Sequence, residues 1–474
     1  MQFTSYIFIA FFIAVYAAYW ATRRWLVAQN VLLLVASYVF YGYWDYRFCS
    51  LLLISTVCDF IIAKRLHASD NQRTRKWLVT LSVVINLGIL GFFKYFEFFA
   101  DSLVVALNRF GVEADPVLLN IVLPVGISFY TFQTLSYTID VYRRKMEPVD
   151  SLLNFGVYVA YFPQLVAGPI ERASHLLPQV CKARTITKDQ VNAGLYLILW
   201  GFFKKLVIAD NMAGIANPIF NNYEQYSGLD LWLAALAFAF QIYCDFSAYS
   251  DIARGLSKLM GFDLMLNFRL PYFATSPSDF WRRWHISLST WLRDYLYIPL
   301  GGNRGGKWFT QRNLMITMLL GGLWHGAAWN FVLWGLFHGL ILAVYRLADG
   351  DRGGDDRPLD KPSAYARHFS RMALMFVLTL IGWVLFRCQS LDQIVHFFTH
   401  MHLGWGEQTG LHLYQVAFFA LPLVVIQIVQ QRSRDLMVMM RLPIVLRAVY
   451  YGLLLGGIAV FGVRETVEFI YFQF

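Results

Sequence analysis

Ten histidines are spread along this 474-residue chain, and two stand where an imidazole is expensive to keep. His325 lies in LLGGLWHGAAWNF, Leu319 to Phe331, within a run from about 314 to 342 that is apolar enough to sit in lipid. His285 lies in SPSDFWRRWHISLSTWLRDY, on what would be the apolar face of a helix. A polar group buried without a partner costs several kcal/mol, and ionisable side chains inside a membrane mark functional paths or wet cavities. The imidazole is the side chain that takes up and returns a proton near neutral pH. Both positions are therefore candidates for a functional role, His325 first and His285 second, with the role itself left open by position alone. Trp324 and Asn330 flank the first histidine and Arg283 and Trp284 the second, and all four are candidates for lining a substrate or donor channel. Gly321, Gly322 and Gly326 would let the backbone bend, or let a neighbouring helix or ligand come close.

Other polar groups have two readings each. In CDFSAYSDIARGLSKLMGF, Asp245 and Asp251 are separated by Ser247, Tyr249 and Ser250 at the end of an apolar run. Such a cluster is either a solvated helix cap or the lining of a water-filled mouth, with Asp245, Tyr249 and Asp251 as its candidates. His338 follows His325 by thirteen residues, which on one continuous helix places it about 220° away, a packing position. His396 and His400 have metal-ligand spacing, but no carboxylate or cysteine accompanies them between Val395 and Gly406, so no metal site is expected. GGNRGGK, Gly301 to Lys307, has the bare spacing of a phosphate loop, but Trp308 stands where Ser or Thr is needed and no strand precedes it. It reads as a glycine-rich interfacial loop whose Arg304 and Lys307 face headgroups or an anionic ligand.

The elements that hold these residues are set by composition. Hydrophobic residues make up 58% of the chain and charged residues 15%, against about 25% charged in a soluble domain. A crossing takes about 20 apolar residues, and the recurrent apolar runs provide for roughly ten or eleven such helices. The fold class is therefore all-α and polytopic, one membrane-embedded domain over 1–474, with a core at about 160–345 and C-terminal helices at about 366–474. The first run, Tyr6 to Trp20, has its basic residues after it, at Arg23 and Arg24, which is the reverse of a signal peptide. Arg23-Arg24, the Lys64 to Lys76 cluster and Arg143-Arg144-Lys145 fall at alternate ends of successive runs. Positive-inside logic puts them in the cytoplasm and the N-terminus outside. The same bias accounts for the net charge of +10 without a nucleic-acid partner. The five cysteines form no framework and read as small buried apolar residues.

Between 276 and 295 the pattern is amphipathic. Ser276 can cap a helix, Pro277 suits its first turn, and Asp279 lies three residues after the cap. Trp281, Trp284, His285, Leu288, Trp291, Leu292 and Tyr295 then recur at steps of three and four, giving one Trp- and Arg-rich helix suited to the membrane interface. In YFPQLVAGPIER, Tyr161 to Arg172, Pro163, Gly168 and Pro169 break an apolar segment. DGDRGGDDRPLDKP, Asp349 to Pro362, reads as a surface loop.

Taken in order, FPQLVAGPIER, CDFSAYSDIARGLSKLMGF, NFRLPYFATSPSDFWRRWHISLSTWLRDYLYIPLGGNRGG and GGLWHGAAWNFVLWGLFHG resemble the membrane-bound O-acyltransferase family, in its alginate O-acetyltransferase, AlgI-like branch. The likeness runs from the first helix to about Cys388 and is densest between Phe162 and Gly339. It implies a ring of helices around a thin core, with an outer funnel and a cytoplasmic tunnel meeting at the catalytic histidine of the WHG element, here His325. The WH of the amphipathic element places a second family histidine at His285. The resemblance also implies a bacterial inner-membrane enzyme with no bound cofactor. Acetyl-CoA would be the cytoplasmic acyl donor and an exported polysaccharide such as alginate or cellulose the acceptor, with periplasmic acetylation proteins as partners beside the membrane lipids. Two alternatives stay open. The chain could relay acetyl groups across the membrane without acetylating the polymer itself, or it could be a transporter, since Pro- and Gly-broken helices also mark transport sites.

Overall fold

Backbone amides in hydrocarbon have to find partners within their own segment, which leaves the helix as the structure open to a chain this apolar. The computed structural model describes residues 1–115, 119, 121–349, 362–463 and 469–470, and every regular element among them is helical. Residues 350–361, most of the charged loop expected before Pro362, lie outside the described residues. Among the described residues, eight segments are long and apolar enough to cross a membrane. The sequence suggested ten or eleven crossings. The first of the eight, Leu26–Ala68, holds two helices in series, whereas the N-terminal apolar helix is only 16 residues long.

The chain divides into two compact units. The first comprises Met1–Gly194 and Ala253–Met265. Its helices are α1 (Tyr6–Ala21), α2 (Leu26–Asp45), α3 (Cys49–Ala68), α4 (Gln72–Leu90), α5 (Phe96–Arg109), α6 (Ile127–Tyr142), α7 (Leu152–Ala160) and α8 (Ala173–Val180). Polar side chains fasten α3, α4 and α6 together from within. Ser82 and Asn86 both donate to the buried Asp59 carboxylate, and Ser55 and Thr134 donate to Asn86 Oδ1. Each group in that network is satisfied by another, the condition under which polar atoms are tolerated in an apolar interior. The buried Arg75 guanidinium donates to the carbonyls of Leu66, Val141 and Tyr142, at the C-terminal ends of α3 and α6. A cation there meets the negative end of both helix dipoles.

The YFPQLVAGPIER segment is broken as expected. α7 stops at Ala160, and 161–172 runs as turns and irregular chain, nearly all of it buried. Its freed groups are taken up by neighbours. Phe162 N–H donates to Ser37 Oγ at 3.1 Å, and Gln133 Nε2 donates to the Tyr158 carbonyl at 2.6 Å. At the end of the segment the fully buried Glu171 carboxylate pairs with His175 Nδ1 at 2.8 Å. Burial pushes the Glu171 carboxyl up, and that hydrogen bond raises the imidazole of His175. Of the cysteines expected to be buried, Cys244 and Cys388 are, Cys49 and Cys58 are half-buried, and one departs fully. Cys181 is exposed, just past the end of α8, where Asn154 Nδ2 lies 3.4 Å from its sulfur.

The second unit comprises Leu195–Ile252 and Leu266–Phe474. Its helices are α9 (Lys188–Phe203, beginning in the first unit), α10 (Asp210–Asn221), α11 (Leu229–Leu259, ending in the first unit), α12 (Pro277–Arg283), α13 (Ile286–Leu292), α14 (Lys307–His325), α15 (Trp329–Asp349), α16 (Pro362–Arg387), α17 (Leu391–His400), α18 (Thr409–Ser433) and α19 (Ile444–Phe461). Three expectations are corrected here. The run from about 314 to 342 is not one continuous helix. It folds back at Gly326–Ala328 into the antiparallel hairpin α14–α15, whose close approach needs Gly322 against the Phe331 carbonyl and Gly335 against the Met318 carbonyl. The amphipathic stretch after Ser276 is two short helices, because His285 between them is left-handed at φ 43°. Asp245 and Asp251 lie inside α11 rather than at its end, since the helix continues eight residues past Asp251 to Leu259. The capping reading holds. Ser276 Oγ accepts from Asp279 N–H at 3.1 Å, with Pro277 in the first turn.

Candidate active site

Asn267 organises the ground on which His285 stands. Its main-chain carbonyl accepts from Ile286 N–H at 2.9 Å. Its Oδ1 accepts from Ser287 N–H at 3.3 Å and Ser287 Oγ at 2.9 Å, and lies 3.2 Å from His285 Nδ1. Its Nδ2 reaches Ser250 Oγ on α11 at 3.3 Å. These bonds hold the chain in the kink between α12 and α13. A left-handed non-glycine residue is uncommon and costs free energy that its surroundings must supply. His285 and Asn267 are both fully buried.

His325 is the last residue of α14, at the tip of the hairpin, and is 4% exposed. The fold brings it to His285, with ring centroids 6.4 Å apart and planes at 66°. The remaining walls are aromatic. Trp334, returning on α15, is edge-on to His325 at 5.0 Å, Phe386 near the end of α16 lies at 5.4 Å, and Trp324 lies at 5.1 Å. His285 in turn meets Phe246 of α11 at 4.7 Å and Trp324 at 5.6 Å. The two imidazoles therefore share a buried, ring-lined chamber, in which electrostatic interactions are stronger than in water.

The other candidates occupy distinct places. Trp324 belongs to the chamber. Trp284 is buried behind it, parallel to Phe280 at 5.8 Å and against Trp383 at 4.8 Å. Arg283 Nε donates to Asp279 Oδ1 at 2.8 Å, one turn back on its own helix. Asn330 Nδ2 donates to the Phe386 carbonyl at 3.0 Å and so ties α15 to the end of α16. The glycines prove to be places of helix and ring approach. A Cβ at Gly326 would overlap the Phe331 ring, and one at Gly321 would press on Leu292. His338, carried back by the hairpin, packs on Trp334 at 4.6 Å and Trp281 at 5.2 Å.

Asp245 and Asp251 meet lysines that the sequence reading did not single out. Lys205 lies 2.9 Å from Asp245 Oδ1 and 2.8 Å from Asp210 Oδ1, and Lys204 lies 2.7 Å from Asp251 Oδ2 and 2.8 Å from Ser247 Oγ. Both lysines come from a π-helical turn, 204–209, between α9 and α10. Such turns frequently accompany functional sites. Asp245 also accepts the Ile470 N–H at 2.7 Å, and Tyr249 meets the Phe469 ring at 5.2 Å. The cluster is thus a buried ion-pair layer on the same helix that supplies Phe246 and Ser250 to the chamber.

Elsewhere, His396 and His400 stack at 4.1 Å, and their ring nitrogens face main-chain carbonyls. The described residues contain no group of three His, Cys, Asp or Glu arranged to hold a metal. In the glycine-rich loop, Gly301, Gly302, Gly305 and Gly306 all have positive φ, and Gly306 leads into α14. Of the residues that shape the chamber, Asn267, Trp334 and Phe386 were not legible as such. Asn267 and Trp334 do lie inside the quoted motifs, but only the kink at His285 and the fold-back at Gly326–Ala328 bring them onto the two histidines.

Comparison with known proteins shows which family the sequence falls in. Residues 8–349 match the sequence model of MBOAT, the membrane-bound O-acyltransferase family. The chain is 44% identical over 414 residues to the probable alginate O-acetylase AlgI of Azotobacter vinelandii, covering 86% of this chain and 79% of that one. It is 35% identical to the peptidoglycan O-acetyltransferase of Helicobacter pylori, over 76% of this chain and 71% of that protein. With the teichoic acid D-alanyltransferase of Bacillus subtilis it shares 30% identity over 48% of this chain and 60% of that protein.

Proposed function

The chain belongs to the membrane-bound O-acyltransferase family and is an acyltransferase, and from that premise we propose that it moves acetyl groups from a cytoplasmic thioester, acetyl-CoA, to hydroxyls of an exported polysaccharide. The names of its relatives, alginate O-acetylase and peptidoglycan O-acetyltransferase, support an exported polymer as the acceptor and an O-acetyl ester as the product. The observation that carries the reading is the meeting of His325 and His285 in one aromatic chamber, 6.4 Å between ring centroids.

The chemistry follows from what a buried neutral imidazole can do. His325 takes the proton of the acceptor hydroxyl as its oxygen attacks the thioester carbonyl carbon. A C–O bond forms and the carbonyl π electrons move onto oxygen. Collapse of that tetrahedral species re-forms C=O, breaks the C–S bond and expels the thiolate. The thiolate recovers the proton from His325 and leaves as the thiol. His285 orients and supports His325. The buried aromatic walls limit the access of water to the acyl carbon. In this reading 1–474 acts as one acyltransferase domain in a bacterial inner membrane, with the N-terminus outside. The basic clusters on the cytoplasmic side draw in the donor's phosphates. Acetylation is direct or passes through a periplasmic protein.

Radiolabelled acetyl-CoA supplied to membrane vesicles from polymer-producing cells tests this. His325→Ala is expected to lower polymer acetylation by about 10²–10⁴-fold, the range of a lost general base. Wild-type acetylation by that variant would remove the assignment. Transfer to the polymer by the purified chain alone distinguishes the direct route from the relay.

A further inference from the structure

The hydrogen bonds around Asn267 decide which nitrogen of His285 carries the proton. A main-chain N–H can only donate, so the Asn267 side-chain atom that meets Ser287 N–H at 3.3 Å is the carbonyl oxygen. This fixes an orientation that is otherwise a matter of inference for an amide. The same oxygen lies 3.2 Å from His285 Nδ1, and an acceptor facing a ring nitrogen makes that nitrogen the donor. The neutral His285 is therefore protonated on Nδ1, and Nε2 carries the lone pair. The amide is held in turn. Its Nδ2 is occupied by Ser250 Oγ, and Asn267 is wholly buried, so it is not free to rotate.

We propose that Asn267 is a positioning residue for acyl transfer, locking His285 in the Nδ1–H form so that its Nε2 offers a lone pair as a hydrogen-bond acceptor in the chamber, while His325 takes the acceptor's proton and returns it to the thiolate. This rests on the reading of the two-histidine chamber as the transfer site, and it sharpens the role of His285 there. A histidine locked this way accepts from a reacting hydroxyl or from its neighbour, and it does not serve as a donor to the oxyanion. Ser250 and Ser287 complete the device. The first anchors the amide to α11, and the second gives its main-chain and side-chain donors to the same oxygen. The ring and hydrogen-bonding partners of His285 include Phe246 on α11, Asn267 and Phe268 on the preceding loop, and Trp324 and His325 on α14. His325 is the titratable group among them.

The experiment measures acetyl-CoA turnover against pH in vesicles carrying the full-length chain, with His325→Ala beside the Asn267 variants. Full activity in His325→Ala would defeat the functional reading itself and is recognised separately. With that variant inactive, Asn267→Leu, which removes the acceptor, is expected to lower turnover at saturating donor by at least about tenfold, while the KM for acetyl-CoA stays within about twofold. Asn267→Asp keeps an oxygen toward both Nδ1 and Ser287, and its charge favours the imidazolium. Since the acting form of His285 is the neutral one, the acid limb of the profile is expected to move to higher pH, by about one unit. Should Asn267→Leu fail to fold, the Asn267→Asp profile alone decides. An Asn267→Asp profile that superimposes on wild type, or an Asn267→Leu variant with wild-type turnover, overturns the proposal.

Discussion

His325 and His285 were legible because each is an ionisable group in surroundings that penalise it, and the penalty is local to the sequence. Lys205 was not, because its meaning depends on partners 5 and 40 residues away, Asp210 and Asp245, which converge on it only in the folded unit. A buried cation between two carboxylates is a weak source of net stability, but removing one side leaves uncompensated charge behind. Lys205→Met is therefore expected to destabilise the protein by about 3–5 kcal/mol, read as a fall in the thermal unfolding temperature in detergent. Asp245→Asn is expected to cost less, since Lys205 keeps Asp210. Equal stability of Lys205→Met and wild type would mean that water already reaches this layer. Asn267 shows the same limit at the site itself. The sequence displayed it inside a motif, yet its importance comes from four hydrogen bonds to residues 17 to 20 positions away.

The helices themselves were largely readable from apolar periodicity, and their breaks were not. A 3.6-residue pattern continues through His285, because side chains on both sides of the kink face the same apolar interior, so α12 and α13 looked like one helix. Likewise the run around His325 is apolar throughout, and hydropathy carries no sign of the reversal at Gly326–Ala328. The glycines were the available signal, and their spacing gains meaning only with the hairpin in hand. Gly322 and Gly335 are where α14 and α15 come closest. Gly322→Leu would drive a side chain into the Phe331 carbonyl and the Gly335 backbone. It is expected to cost at least about 1–3 kcal/mol and to lower acetylation by displacing His325 at the tip. Gly88→Leu, where a Cβ meets nothing within 4 Å, is the matched control. If both variants unfold at the same temperature and keep full activity, the hairpin contact does not position the site.

At the scale of the molecule, composition alone identified an all-helical membrane protein, and family likeness over residues 8–349 agrees with the motifs quoted from the sequence. The number of crossings was less readable, since short or polar helices such as the 16-residue α1 and α6 escape any threshold of length and hydropathy. Both histidines, Asn267 and the lysine layer all fall in the second compact unit, Leu195–Ile252 with Leu266–Phe474. The substrates proposed for that unit lie on opposite sides of a bilayer, and the chain has to join them. The most direct test is a sided one. Inverted vesicles containing the protein and unacetylated polymer in the lumen receive labelled acetyl-CoA outside, and the label on the polymer is counted. Wild-type chain is expected to label luminal polymer, and His325→Ala to label it at no more than about one hundredth of that rate. Equal labelling by the two would contradict the claim that this buried imidazole carries the transfer.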